Sequence, residues 1–165
     1  MDFDIVDYHG GSLRVIAIKD SNPISGEVSK IEKQIEKEFA MKLFEHETYI
    51  KFQEIIEYDR SLFLSKIHEI KLSKMEVPII GIGAAAKANT LLTYYGLNNT
   101  YIDFITDMSK FKIGKFTPLT RIPIYPDSKI SELKDVFAIV LSWNISEALV
   151  ESISKINGNV RFLKL

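Results

Sequence analysis

The sequence contains no cysteine. That excludes disulfides, cysteine-ligated zinc and thiol catalysis, and it fits a reducing compartment. A surplus of either charge is also missing, with 21 Lys plus Arg against 22 Asp plus Glu. Proteins that hold nucleic-acid phosphates usually carry a basic excess, so nucleic acid is not an expected partner. No apolar run approaches the roughly 18 residues that cross a bilayer. Residues 1–10 are acidic rather than signal-like, so the expectation is a cytoplasmic chain without a membrane partner. His9, His46 and His68 have no ligand-like spacing, and no metal site is expected from them. Nucleophile-elbow, Walker-lysine and HExxH motifs are absent as well.

What is present is the material of a globular core. Of 165 residues, 46% are hydrophobic and 26% charged, which suits a single domain, 1–165, with a helical appendage. SLRVIAIK (12–19) is rich in branched side chains and reads as a first strand, entered by Gly10-Gly11 and left through Asp20-Ser21-Asn22-Pro23. From Glu27 to Val77 there is neither glycine nor proline. Apolar residues there recur at steps of three and four, and acids and bases are interspersed, so 27–76 reads as two solvated amphipathic helices broken near 41–47. After Pro78 the character changes, for Lys87 and Asp103 are the only charges from Val77 to Thr106. The predicted order is strand 77–82, helix 85–95, strand 101–106, an extended IPIY (122–125) and a short helix 130–135. Strand 137–143, helix 146–156 and strand 160–165 complete it. Strands alternating with helices predict an α/β fold: a Rossmann-like, open, mostly parallel sheet with flanking helices over 77–165.

Four of the eight alanines, Ala84, Ala85, Ala86 and Ala88, fall within five residues of GIGAAAKANTLL (81–92). This segment follows an apolar strand and opens a helix, the context of a phosphate-binding turn. In that reading Gly81 permits the sharp turn, Gly83 allows close backbone approach, and the helix N-terminus favours an anion. Tight strand-to-helix packing without a ligand would use the same residues. Lys87, a cation in the first helical turn, opposes the helix dipole by about 0.3–1 kcal/mol; a bound anion or simple solvation would account for it. Asp107 lies 26 residues beyond Gly81, further than the roughly 20 of a ribose-binding acid, and a cap or turn role competes. The one basic stretch, 108–121, carries Lys110, Lys112, Lys115 and Arg121 without an acid and could close over a phosphorylated ligand. Trp143 and Asn144 follow the FAIVLS strand, so they belong at the carboxyl ends of the strands, where open α/β sheets bind ligands. Core packing is the competing role for Trp143.

YHGGSLRV (8–15), GIGAAAKANTLLTYYGL (81–97), GKFTPLTRIPI (114–124) and LSWN (141–144) resemble, in order, the C-terminal domain of the S-adenosylmethionine-dependent sugar C-methyltransferases. The resemblance implies a Rossmann-like domain that helps hold a nucleotide-sugar against a catalytic domain. On it, His9, Ser12, Gly81, Gly83, Lys87, Asn89, Thr117 and Asn144 become substrate-binding candidates, beside Asp107 and Trp143 from the residues themselves. The family's zinc segment needs cysteines that this chain lacks. Its methyl-donor domain, with a catalytic Glu-His pair, precedes the region matched, and Glu45-His46 sits in the helical stretch away from that position. The expectation is therefore a stand-alone C-terminal half without a cofactor of its own. S-adenosylmethionine belongs to a separate methyltransferase catalytic chain, and a homo-oligomer is a further possible partner. No catalytic residue is expected here. His9 is the one base candidate near a loop, and capping is its commoner use. Two departures from the family's wording stand out: Ala88 and Leu119 replace glycines. Leucine enters the left-handed region only at a cost, so the 114–121 loop is expected to adopt another conformation. An independent nucleotide-binding module and a ligand-free structural or oligomerisation domain are the alternatives.

Overall fold

The computed structural model describes residues 2–8, 11–17, 28–73 and 77–163. The chain divides into two compact units, Met1–Glu57 and Tyr58–Leu165.

In the first unit, β1 (Asp2–Val6) and β2 (Ser12–Ile16) form a two-stranded antiparallel sheet with Asp2 opposite Ile16 and Val6 opposite Ser12. β1 is absent from the sequence reading, because DFDIV carries two acids where a strand signal wants apolar alternation. Those acids have partners in the fold. Arg14 on the facing strand donates to Asp4 at 2.8 Å, and Lys30 of α1 (Val28–Ala40) reaches Asp2 at 3.1 Å and Asp4 at 3.3 Å. The hydrogen bond from Lys30, with that from the Phe3 N–H, holds the Asp2 carboxyl below its usual range. Arg14 and then Lys30 do the same for Asp4, and the ammonium of Lys30 is raised in return. β2 ends at Ile16, earlier than the expected 12–19, and residues 18–19 lie outside the described residues. α1 and α2 (His46–Leu72) meet the expected break, with turns at 41–44. No described residue of this unit is fully buried.

The second unit is the α/β core. Five parallel strands lie in the order β5-β4-β3-β6-β7, with β3 at Ile79–Ile82, β4 at Phe104–Thr106, β5 at Ile124–Tyr125, β6 at Val136–Val140 and β7 at Val160–Leu163. Side chains alternate across the strands. Ile79, Ile105, Phe137 and Ile139 pack on one face with Phe63 and Ile67 of α2 and with Ala88 and Leu92 of α3 (Ala86–Tyr95). Ile80, Ile82, Phe104, Val136 and Ala138 pack on the other with Ile153 of α4 (Ser146–Ile156). Each fully buried isoleucine stabilises the fold by roughly 1.5–3 kcal/mol at most.

Several expected elements are trimmed. The helix expected at 130–135 is a 3₁₀ turn at Asp127–Glu132, and β6 stops at Val140, so Trp143–Ile145 begin a 3₁₀ turn into α4 instead of ending a strand. Gly81 is not the turn residue. It lies inside β3 opposite Ile105 and Ile139, where a Cβ would stand 2.6 Å from Leu141 Cδ1. The turn is at Gly83, with φ at +84°. Leu119 also departs from expectation: it sits in the left-handed region at φ 62°, and Arg121 at 57°. The loop holds it there by closing on itself. Thr117 N–H donates to the Ile122 carbonyl at 2.9 Å, Ile124 N–H to that of Lys115 at 2.9 Å, and Gly114 N–H to that of Ile124 at 2.9 Å.

Candidate functional site

β3 is flanked by β4 on one side and β6 on the other, and the chain runs β3-α3-β4 before crossing back to β6. The sheet order therefore reverses beside β3, and a crevice opens there beyond the carboxyl ends of the strands. It is a cleft of about 260 Å³. Gly83 and Ala85 wall it after β3, Thr106 and Asp107 at the end of β4, and Ser142 and Ile145 after β6.

Asp107 organises one wall. Its Oδ2 accepts hydrogen bonds from Ala84 N–H at 2.8 Å and Lys112 Nζ at 2.9 Å, and its Oδ1 accepts one from Ser109 N–H at 2.8 Å. Gly83 N–H donates to the Thr106 carbonyl at 2.8 Å. The glycine turn is thus tied to the end of β4 from both sides. Asp107 is only 12% exposed, and it supplies the negative charge that the start of α3 favours. Lys112, read as part of a loop over phosphate, is held in this ion pair, whereas Lys110, Lys115 and Arg121 are exposed.

The remaining candidates are placed as follows. Lys87 Nζ donates to Asn144 Oδ1 and lies 4.5 Å from the centre of the Trp143 ring. These contacts offset the cost of a cation in the first turn of α3. Lys87, Trp143 and Asn144 form a group of their own, next in the chain to the cleft residues Ser142 and Ile145. Asn89 is half-buried on α3. Thr117 is engaged within its loop: its hydroxyl pairs with that of Thr120 at 2.7 Å and accepts from Ile122 N–H at 2.9 Å. Ser12 belongs to the first unit, where its hydroxyl donates to the Tyr8 carbonyl at 2.9 Å. His9 lies outside the described residues. Asp103, the other charge in the 77–106 stretch, sits at the other end of the sheet and accepts from Ile79 N–H at 2.9 Å.

Of the expected set, the cleft gathers Gly83 and Asp107. Thr106, Asp127 and Ser142 were missed. A polar residue ending each of the apolar runs FIT and FAIVLS was the available signal, since those positions face a crevice in an open parallel sheet. Among the described residues, no three His, Asp or Glu side chains gather as a metal would need, and no helix is long and apolar enough to cross a membrane.

The C-methyltransferase C-terminal domain family matches residues 7–163. The chain belongs to that family. A curated relative, the C-methyltransferase NovU of Streptomyces niveus, is 32% identical over 75 residues. The match takes in 45% of this chain and 18% of that protein, so the two share a limited segment. In this C-methyltransferase C-terminal domain, Leu119 stands on the same loop as Thr117.

Proposed function

We propose that this C-methyltransferase C-terminal domain helps to hold a nucleotide-sugar, and that it works beside a separate catalytic chain that binds S-adenosylmethionine. The observation that carries the reading is the cleft at the reversal point of the sheet, walled by the Gly83 turn, Asp107 and the polar ends of β4 and β6. Membership of the family supports the chemistry. Methylating a sugar carbon needs a base beside a carbonyl and a bound methyl donor, and the described cleft offers neither a histidine nor a second glycine turn. Its contribution is binding and orientation. Exposed Phe39 and Phe44, whose ring centres lie 4.7 Å apart in the first unit, support a partner chain, because apolar side chains grouped at a surface mark interaction sites.

Calorimetry against a panel of dTDP-, GDP- and CDP-sugars, with and without a separate methyltransferase catalytic chain, tests this. Trp143, the single tryptophan, gives a parallel fluorescence readout. Binding to one nucleotide class is the expected result, and no binding to any of them in either setting would overturn it.

A further inference from the structure

We propose that the cleft seats a neutral sugar ring through its vicinal hydroxyls and leaves the diphosphate outside, with Thr106 and Asp127 as the recognising groups. This rests on the nucleotide-sugar reading and narrows it.

Three observations lead there. The first is an orphan group. Thr106 is fully buried, yet its hydroxyl has no hydrogen-bond partner among the described residues. A buried hydroxyl left unpaired costs about 1–3 kcal/mol, so native structures rarely keep one without a use. Thr106 ends β4 opposite Ile82, and both residues line the cleft. The second is charge. The charged residues of the lining are Asp107, Asp127 and Lys112, a net of one negative charge, and Lys112 is already paired with Asp107. The backbone N–H of Ala84, which a phosphate would seek in a glycine turn, is bonded to Asp107 as well. A diphosphate entering this cleft would meet two carboxylates and no available cation in its lining. Asp127 opens the 3₁₀ turn after β5 and is half-buried, with no hydrogen bond or ion pair to its carboxylate among the described residues. A carboxylate accepts only, and a hydroxyl both donates and accepts; together they match a diol. The third is size. Pockets that enclose drug-sized ligands run from about 300 to 1,000 Å³, so about 260 Å³ holds one ring and not a whole nucleotide-sugar. Ile82, Ile145 and Leu149 supply apolar surface for the face of that ring.

The diol could come from the hexose or from a ribose, and the probes separate the two because dTDP lacks the ribose 2′-hydroxyl. Binding of dTDP, dTDP-glucose, CDP and CDP-glucose is measured by calorimetry on the full chain, on its own and on Thr106→Val and Asp127→Asn. If the hexose enters, both glucose conjugates bind at least tenfold more tightly than their diphosphates. If the ribose enters, CDP matches CDP-glucose and exceeds dTDP tenfold. In either case each substitution weakens the favoured probe about five- to tenfold, the loss of roughly one hydrogen bond. Thr106→Val also leaves the thermal midpoint of the ligand-free protein unchanged or raised, since the hydroxyl it removes has no internal partner. Equal binding of all four probes, insensitive to both substitutions, overturns the proposal while leaving nucleotide binding intact. Failure of every probe to bind overturns the proposal as well, and the nucleotide-sugar reading falls with it when the wider panel with the methyltransferase chain also shows no binding.

Discussion

Replacing Gly81 by alanine tests how this domain packs its central strand. A Cβ at that position would stand 2.6 Å from Leu141 Cδ1 and 2.8 Å from Ile105 Cγ1. Carbon atoms attract best at about 3.5–4.0 Å, so each neighbour must retreat by close to 1 Å. Neither has room, because both are fully buried. Overpacking of this kind costs about 1–3 kcal/mol. Alanine recovers about 0.4–1 kcal/mol by stiffening the unfolded chain, which leaves a net destabilisation of roughly 1–2 kcal/mol. The thermal midpoint should fall by roughly 3–8 °C. Urea unfolding followed by circular dichroism gives the free energy, and a double-mutant cycle identifies the cause. Leu141→Ala alone costs about 2–5 kcal/mol. If the clash with Leu141 is the reason, the double variant falls short of the summed costs by about 1 kcal/mol, as coupled neighbours do. A neutral Gly81→Ala, or costs that simply add, would show that the glycine is not there for packing.

Leu119→Gly should stabilise the protein by about 0.5–1 kcal/mol in the same unfolding assay, because relief of the left-handed strain exceeds the added chain entropy and the side chain is 82% exposed; a loss of stability would contradict a strained leucine. Asp107→Ala should cost about 2–3 kcal/mol, since it leaves two backbone N–H groups and Lys112 without their acceptor, and Asp107→Asn should fall between it and the parent. The carboxyls of Asp2 and Asp4 are held low by Lys30 and Arg14, so their pairing is in place above the ordinary aspartate range and is lost as pH falls through the lowered values. Carbon-detected NMR titration should find both midpoints below that of a free aspartate. Lys30→Met should return Asp2 towards the ordinary value, and an unmoved Asp2 midpoint would refute the pairing.

The main sheet was legible because its strands are buried on both faces. Runs such as VPIIGI and FAIVLS carry almost no charge, and the helices between them show their own period, so an open parallel sheet was the arrangement left. β1 was hidden for the opposite reason. Asp2 and Asp4 become tolerable in a strand only once Arg14 and Lys30 stand opposite them, and Lys30 comes from a helix more than 20 residues away. The four motifs in their order were enough to indicate the family, since wording of that kind survives in the linear chain.

The linear chain by itself determined the composition of the core, the alternation of strands and helices, and the family, whereas the fold moved the sharp turn from Gly81 to Gly83. Only the tertiary structure decided what the polar residues do. It tied Asp107 to the turn and Lys112 to Asp107, drew Lys87 to Asn144 and the Trp143 ring, closed Thr117 into its own loop, and left the buried hydroxyl of Thr106 without a partner. The reason is physical: apolar burial follows from spacing along one element, whereas the partner of a charge or a hydroxyl comes from whichever element the fold brings within about 3 Å.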